Sequence, residues 1–430
     1  MRGWLFGLVL AAAPAVWPLP CYQGELSADK AVELSLRYSP EVALAGFQAE
    51  LSRAERERTA SESSLKVGLG MLAARQGPSM VYASGGDPNF LQQLPSGSSL
   101  NLNAMAMLPL YNGGWLRHRL AAAQQAERAA LARQQVALQS TCRRARLAYF
   151  EVCQARAEAG AAEQELLARQ ELLQKVQERF QLGRVARYVV LRAEAEQSTA
   201  RQSVNSSRSR YLQREAELKA QIGLSCESRF QYPEQTDIPK PPLTLVDSLS
   251  AARQQRPDLV ATRVAIEEGD QRLLASLAEF SPRLALVAQA ESMSSTAMGW
   301  KPGASVGLTL SFPLFDGGQR AAQVRAAELD LDLRKNALEQ LELQVEREVT
   351  VAHAGLCEAL ENAELSEVEV AKASEEWRIA KLRFEMGRAL YLEMLDALSL
   401  VARARSNRLK SLYEAQRRHA DYLYATGGFP

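Results

Sequence analysis

The sequence predicts an α+β membrane protein made of two internal repeats, each contributing two strands and one long helical hairpin. Three observations carry this. Apolar residues alternate with period two at four places, about 65–73, 99–109, 283–292 and 305–313, the pattern of a strand with one apolar face. Two runs, Trp115 to Leu182 and Gln319 to Met386, contain no proline, and as helix each would be about 100 Å long at 1.5 Å per residue. The stretches Leu108-Pro109-Leu110-Tyr111-Asn112-Gly113-Gly114 and Phe312-Pro313-Leu314-Phe315-Asp316-Gly317-Gly318 lie 204 residues apart, and a fixed offset of that kind marks a duplication.

Composition agrees. Hydrophobic residues make up 47% of the chain but aromatics only 7%, and Leu, Ala, Glu, Gln and Arg dominate the long runs, as in coiled coils rather than α/β enzymes. A net charge of +1 gives no global field to draw nucleic acid, so Arg143-Arg144 and Arg417-Arg418 read as solvated helix faces. No stretch approaches the ~20 apolar residues of a spanning helix. Any membrane crossing must therefore use strands.

The chain opens with a secretory signal over 1–20: Arg2 supplies the positive charge, Trp4 to Val16 is apolar, and Ala13-Pro14-Ala15 offers small residues for cleavage. Cys21 raises a lipid anchor as an alternative, but Pro20 stands where lipoprotein signals want a small residue. The five cysteines are Cys21, Cys142, Cys153, Cys226 and Cys357, too few and too scattered for a disulfide framework. Cys142 and Cys153 share one helix about 16 Å apart and cannot pair with each other. The preferred reading of the cysteines is as small buried apolar residues. His353, one turn before Cys357, allows a metal-chelating spacing as the alternative.

In the first repeat, 21–223, Ser27 caps a short helix reaching Tyr38, and Pro40 starts a second that runs to about Ser63. Leu65, Val67, Leu69 and Met71 then alternate, and a loop rich in Gly, Pro and Ser follows from about Arg75 to Ser99. Leu100, Leu102, Ala104, Ala106 and Leu108 share one face of the next strand, with Asn101, Asn103, Met105 and Met107 on the other; Pro109 is expected to end it. The helical hairpin spans 115–222, with Leu166, Leu173 and Phe180 at seven-residue intervals and a break at Gly183. A proline-rich linker covers 224–244. The second repeat, 245–430, restarts the order: a short helix, a second at Pro257, strands around Leu284–Ala290 and Val306–Phe312, and a hairpin over 319–424 broken at Gly387.

The register between halves is tight. Pro109 to Gly183 and Pro313 to Gly387 are both 74 residues, ending in Arg179-Phe180-Gln181-Leu182-Gly183 and Arg383-Phe384-Glu385-Met386-Gly387. Pro40 and Pro257 are instead 217 apart, and loops are where such extra length is absorbed.

Four strands of about ten residues suit an outer-membrane barrel, yet four cannot close one, since small barrels need about eight. One chain is insufficient. Tyr111, Trp115, Phe312 and Phe315 stand at the strand ends, where an interfacial aromatic girdle belongs.

The duplicated order, the two Pro/Gly-Gly hinges and the Arg-Phe-x-x-Gly tips together resemble the TolC-like outer-membrane efflux proteins, over about Leu26 to Tyr424. The resemblance implies a homotrimer whose 12-stranded β-barrel continues into an α-helical coiled-coil barrel, sited in the outer membrane of a Gram-negative bacterium and reaching into the periplasm. It implies outer-membrane lipid, a periplasmic adaptor protein and an inner-membrane pump as partners. The function implied is an exit duct for export.

Glu393 and Asp396 follow Gly387 one turn apart on one helical face, whereas the first half has Val189 and Arg192 in their places. By the resemblance this acidic pair lines the periplasmic gate. Phe384 and Ala389 stand where family members carry Tyr and Arg in gate hydrogen bonds, and neither side chain can make them. The tips Arg179, Leu182, Gly183, Arg383, Met386, Gly387 and Arg388 are expected to dock the adaptor. Pro109, Gly113, Gly114, Pro313, Gly317 and Gly318 are expected to be strand-to-helix hinges. No enzyme constellation is legible: His118, His353 and His419 are scattered, and no catalytic group or cofactor is expected. The rival reading is a secreted coiled-coil scaffold without a pore; a third is an exported metal-binding protein using His353 and Cys357.

Overall fold

The computed structural model describes residues 21–76, 79–82, 91–94, 97–233, 238–239, 242–295 and 299–429. The expected signal segment therefore lies outside the described residues, as do parts of the first loop and of the linker.

Helices occur in pairs of equal length. α1 (Ala28–Tyr38) and α5 (Leu245–Gln255) have 11 residues each, α2 (Pro40–Ser61) and α6 (Pro257–Ala278) 22. α3 (Trp115–Gln181) and α7 (Gln319–Glu385) have 67, α4 (Arg187–Ile222) and α8 (Tyr391–Thr426) 36. The starts are set locally. Ser27 accepts a hydrogen bond from Lys30 N and Thr244 from Asp247 N, each satisfying one N–H of a first turn. Among the described residues, no helix is long and apolar enough to cross a membrane.

One compact unit, Gln48–Ala132 with Val260–Gln340, holds an antiparallel sheet. Its strands are β2 (Lys66–Gln76), β5 (Gly97–Tyr111), β7 (Arg283–Ser295) and β8 (Gly299–Ser311), in the order β2-β5-β7-β8. The register aligns the apolar positions of every strand: Leu69 opposes Ala104, Ala104 opposes Ala290, and Ala290 opposes Ala304. Directly opposed residues share a face. One face thus carries Val67, Leu69 and Met71, Leu100 to Leu108, Leu284 to Ala290, and Val306, Leu308 and Leu310. The other is mixed: it carries Lys66, Asn101, Asn103, Gln289, Glu291 and Thr309 together with Leu72, Met105, Met107 and Val287. The apolar face is open in the single chain, with Leu69 86% and Val306 74% exposed.

Three strand features depart from the sequence expectation. The strands run further into the loops than 65–73 and 283–292, because cross-strand pairing, not composition, decides where a ladder stops. Within the expected first loop, β3 (Ser79–Tyr82) and β4 (Leu91–Leu94) pair as a separate antiparallel ribbon. Pro109 does not end β5: the strand continues to Tyr111, with its register against β7 shifting between the two. β2 stops pairing at Met107, so proline's missing N–H is tolerated beside a bulge with no neighbour on that side.

The other unit comprises the chain up to Phe47, Arg133–Leu259 and Leu341 onward. It contains a parallel ribbon that the sequence reading missed, β1 (Gln23–Glu25) on β6 (Arg229–Gln231). Three-residue strands carry too little period-two signal to be read. The ribbon closes an aromatic core in which Tyr149, Phe150, Tyr232 and Leu26 are nearly or fully buried beside Leu218 and Ile222. Cys142 and Cys153 lie in such interiors, as small apolar residues should; Cys21, Cys226 and Cys357 do not, being exposed, because they sit where no neighbouring element covers them.

Candidate functional site: hinges and helical tips

At the first hinge Gly113 adopts φ +59°, and an added Cβ would sit 2.0 Å from Ser281 Cβ. Only glycine fits, both for backbone and for space. Trp115 then opens α3 and is half-buried. Its indole N–H donates to Glu279 at 3.2 Å, and its ring lies between the guanidinium groups of Arg119 and Arg283 at 4.5 and 4.9 Å. Tyr111, Phe312 and Phe315 do remain exposed. At the second hinge Asp316 accepts from Gly318 N and Arg320 N, each at 3.1 Å, and pairs with the Arg320 side chain. It fills the vacant N–H positions at the start of α7, where the helix dipole favours an anion. The Arg320 hydrogen bond, helped by the two backbone N–H groups, holds its carboxyl below the usual range.

Both tips end in the same double turn. Arg184 N donates to Arg179 O at 2.9 Å and Gly183 N to Phe180 O at 2.9 Å; Arg388 N donates to Arg383 O at 2.8 Å and Gly387 N to Phe384 O at 2.9 Å. The glycines sit at φ +70° and +72°, the Schellman arrangement that closes a helix C-terminus. Leu182, Arg383, Met386, Gly387 and Arg388 are exposed around these turns.

Arg179 is the exception among the expected docking residues. Its guanidinium is turned onto the second tip, donating to the carbonyls of Phe384 (2.8 Å) and Glu385 (3.2 Å) and stacking on the Phe384 ring at 4.0 Å. A cation there adds a second donor to the Phe384 carbonyl, bonds that of Glu385, and complements the dipole of α7. Lys175 adds an ion pair to Glu385 at 2.7 Å, which holds that carboxyl below its ordinary value. The Arg-Phe-x-x-Gly repeat was the available signal, but it does not say that one arginine reaches the other tip.

Phe384 is buried with Leu173, Val176, Val189, Tyr391, Met394, Leu395 and Leu398. Tyr391, Met394, Leu395 and Leu398 form a helical stripe that fixes the rotation of α8. Glu393 and Asp396 consequently lie on the opposite, exposed side. Their first-half counterparts are unlike: Val189 is buried in the same cluster, and Arg192 is exposed. Behind the stripe, nearly buried Arg169 of α3 bridges Glu165, Glu196 of α4 and the Ser399 hydroxyl of α8.

The sequence profile described as outer membrane efflux protein matches residues 31–224 and again 248–428. Outer membrane efflux protein BepC of Brucella suis is 28% identical over 281 residues, covering 64% of this chain and 57% of that relative's own length. The solved structure of CusC superposes with a TM-score of 0.80 at 18% identity, covering 94% of this chain and 93% of that one. That of the Campylobacter jejuni CmeC outer membrane channel gives 0.79 at 17%, covering 93% and 85%. The fold is the one these TolC-like channels share, and with both segments matched by the profile, the chain belongs to the outer membrane efflux protein family.

Proposed function

We propose that three copies of this chain form an outer-membrane channel that serves as the exit duct for export. An inner-membrane transporter drives it through a periplasmic adaptor. Twelve strands, four per copy, close the barrel; the paired helical hairpins of the two repeats build the tunnel. One observation carries the reading. The register aligns the alternating apolar positions of four strands on one open face, while β2 and β8 lie at the edges of the sheet. Such a face suits lipid, and such edges are not tolerated there unless paired. A secreted scaffold without a pore has no use for either.

The rest follows from chemistry. The energy comes from the pump. Glu393 and Asp396 from three copies make a ring of six carboxylates at the periplasmic constriction, which favours cations. The exposed tip residues dock the adaptor, and opening is a shear of the hairpins. Purified protein should migrate as a heat-modifiable trimer and give discrete single-channel conductance in planar bilayers. Monomeric migration with no conductance would sink the proposal. In the same recordings, Glu393→Ala with Asp396→Ala should weaken cation selectivity; an unaltered reversal potential would refute the gate assignment while leaving the duct intact.

A further inference from the structure

The duplication places one pair of side chains in two different settings. Tyr149 and Cys153 sit on α3, and the residues 204 positions later on α7 are His353 and Cys357. The first pair is buried, and burial pushes the Cys153 thiol up to about 11. It stays protonated and inert. The second pair is open: Cys357 is exposed and His353 half-buried.

The imidazole of His353 is already oriented. A carbonyl oxygen only accepts, so Nε2–H donates to Leu243 O at 2.9 Å. The same residue's N–H donates to the Tyr422 hydroxyl at 3.2 Å, and the Tyr422 ring packs on the imidazole at 6.4 Å. With the proton on Nε2, the Nδ1 lone pair accepts from the Cys357 Sγ–H at 4.0 Å, the contact that loss of the thiol proton turns over to an ion. Metal-binding histidines are held in this way, one nitrogen on a backbone carbonyl and the other on the ion. Tetrahedral coordination with Zn–S near 2.3 Å and Zn–N near 2.0–2.1 Å places the two donors roughly 3.6 Å apart. A small rotation at Cys357 supplies the difference.

We propose that His353 and Cys357 form a two-point chelate for a thiophilic divalent cation of the Zn2+ and Cd2+ type. The Cys357 thiol releases its proton to water, and the thiolate sulfur and Nδ1 each donate an electron pair to the ion. Among the described residues no third His, Cys, Asp or Glu completes a cluster, so water fills the remaining positions. The site is independent of the export function and does not rest on it.

The test is titration of purified, reduced full-length protein with Cd2+, following the ultraviolet thiolate-to-metal charge-transfer band. Wild type should saturate at one ion per chain. Cys357→Ser should abolish the band. His353→Ala should weaken binding by more than the roughly tenfold that loss of an outer-shell partner costs. His353→Gln, which keeps an N–H for the Leu243 carbonyl, should weaken it equally, and Cys21→Ser with Cys226→Ser should change nothing. Gel migration matching wild type establishes that each variant is folded. A band that survives Cys357→Ser, one indifferent to both His353 variants, or no band in wild type would each overturn the chelate.

Discussion

Asp316 is a single half-buried carboxylate with a disproportionate task. It caps α7 at the second hinge, where the first hinge has Asn112, a neutral side chain. Because its folded pKa is depressed, the stabilisation it gives is present above its ordinary value of 3.8 and is lost as pH falls through the lower folded value. Asp316→Asn should therefore lower the dissociation temperature of the assembly at neutral pH, and the gap to wild type should narrow as pH falls below 3.8 and through the lower folded value. A gap independent of pH would mean that the charge is irrelevant to the cap. Arg179 is the second such residue. Arg179→Ala removes two charge-assisted hydrogen bonds and a cation–π contact, worth about 1–2 kcal/mol together, and frees the α7 tip. Raised passive leakage of large antibiotics into cells should follow, and unchanged leakage would show that the clasp does not restrain the tip.

Among the elements, the four long helices owe their lengths to glycine-ended turns rather than to packing. Gly183, Gly223, Gly387 and Gly427 all take positive φ at their ends. At the two tips an added Cβ would meet nothing within 4 Å, so Gly183→Ala or Gly387→Ala carries only the left-handed backbone cost of about 1–2 kcal/mol. Assembly should survive these changes, as judged by trimer migration. If the tips dock the adaptor as proposed, bulky replacements at both sites should lower export while the trimer persists. Export at the wild-type level would count against docking there. Such glycines, like Ser27, Thr244 and Pro40, act on their own turn, which is why helix ends were legible along the chain. The ribbon β1–β6 and the extra length of the strands were not, since both depend on partners far away in sequence.

For the molecule as a whole, the sheet is the unfinished part. β2 and β8 are its edges. If neighbouring copies complete the barrel, cysteines introduced along β2 and along β8 of one chain should crosslink between chains under oxidation, giving covalent species up to trimers. Crosslinks confined within one chain would overturn the closure. The proposed gate acids Glu393 and Asp396 belong to this scale too, because the ring proposed for them requires assembled copies.

The sequence by itself determined the class of protein, the order and length of its helices, the four strands and the positions of hinges and tips. Each of these rests on period, caps and breakers acting over a few residues. Tertiary structure alone decided which arginine of the two tips is bound and which is exposed. It brought Arg179 onto carbonyls 205 and 206 residues away, turned Trp115 between Arg119 and Arg283, and let β5 pass through Pro109. It also buried Cys153 and exposed Cys357, two cysteines that stand 204 residues apart. The physical reason is common to all of them: local patterns fix what an element is, but burial and long-range hydrogen bonding depend on which neighbour it meets.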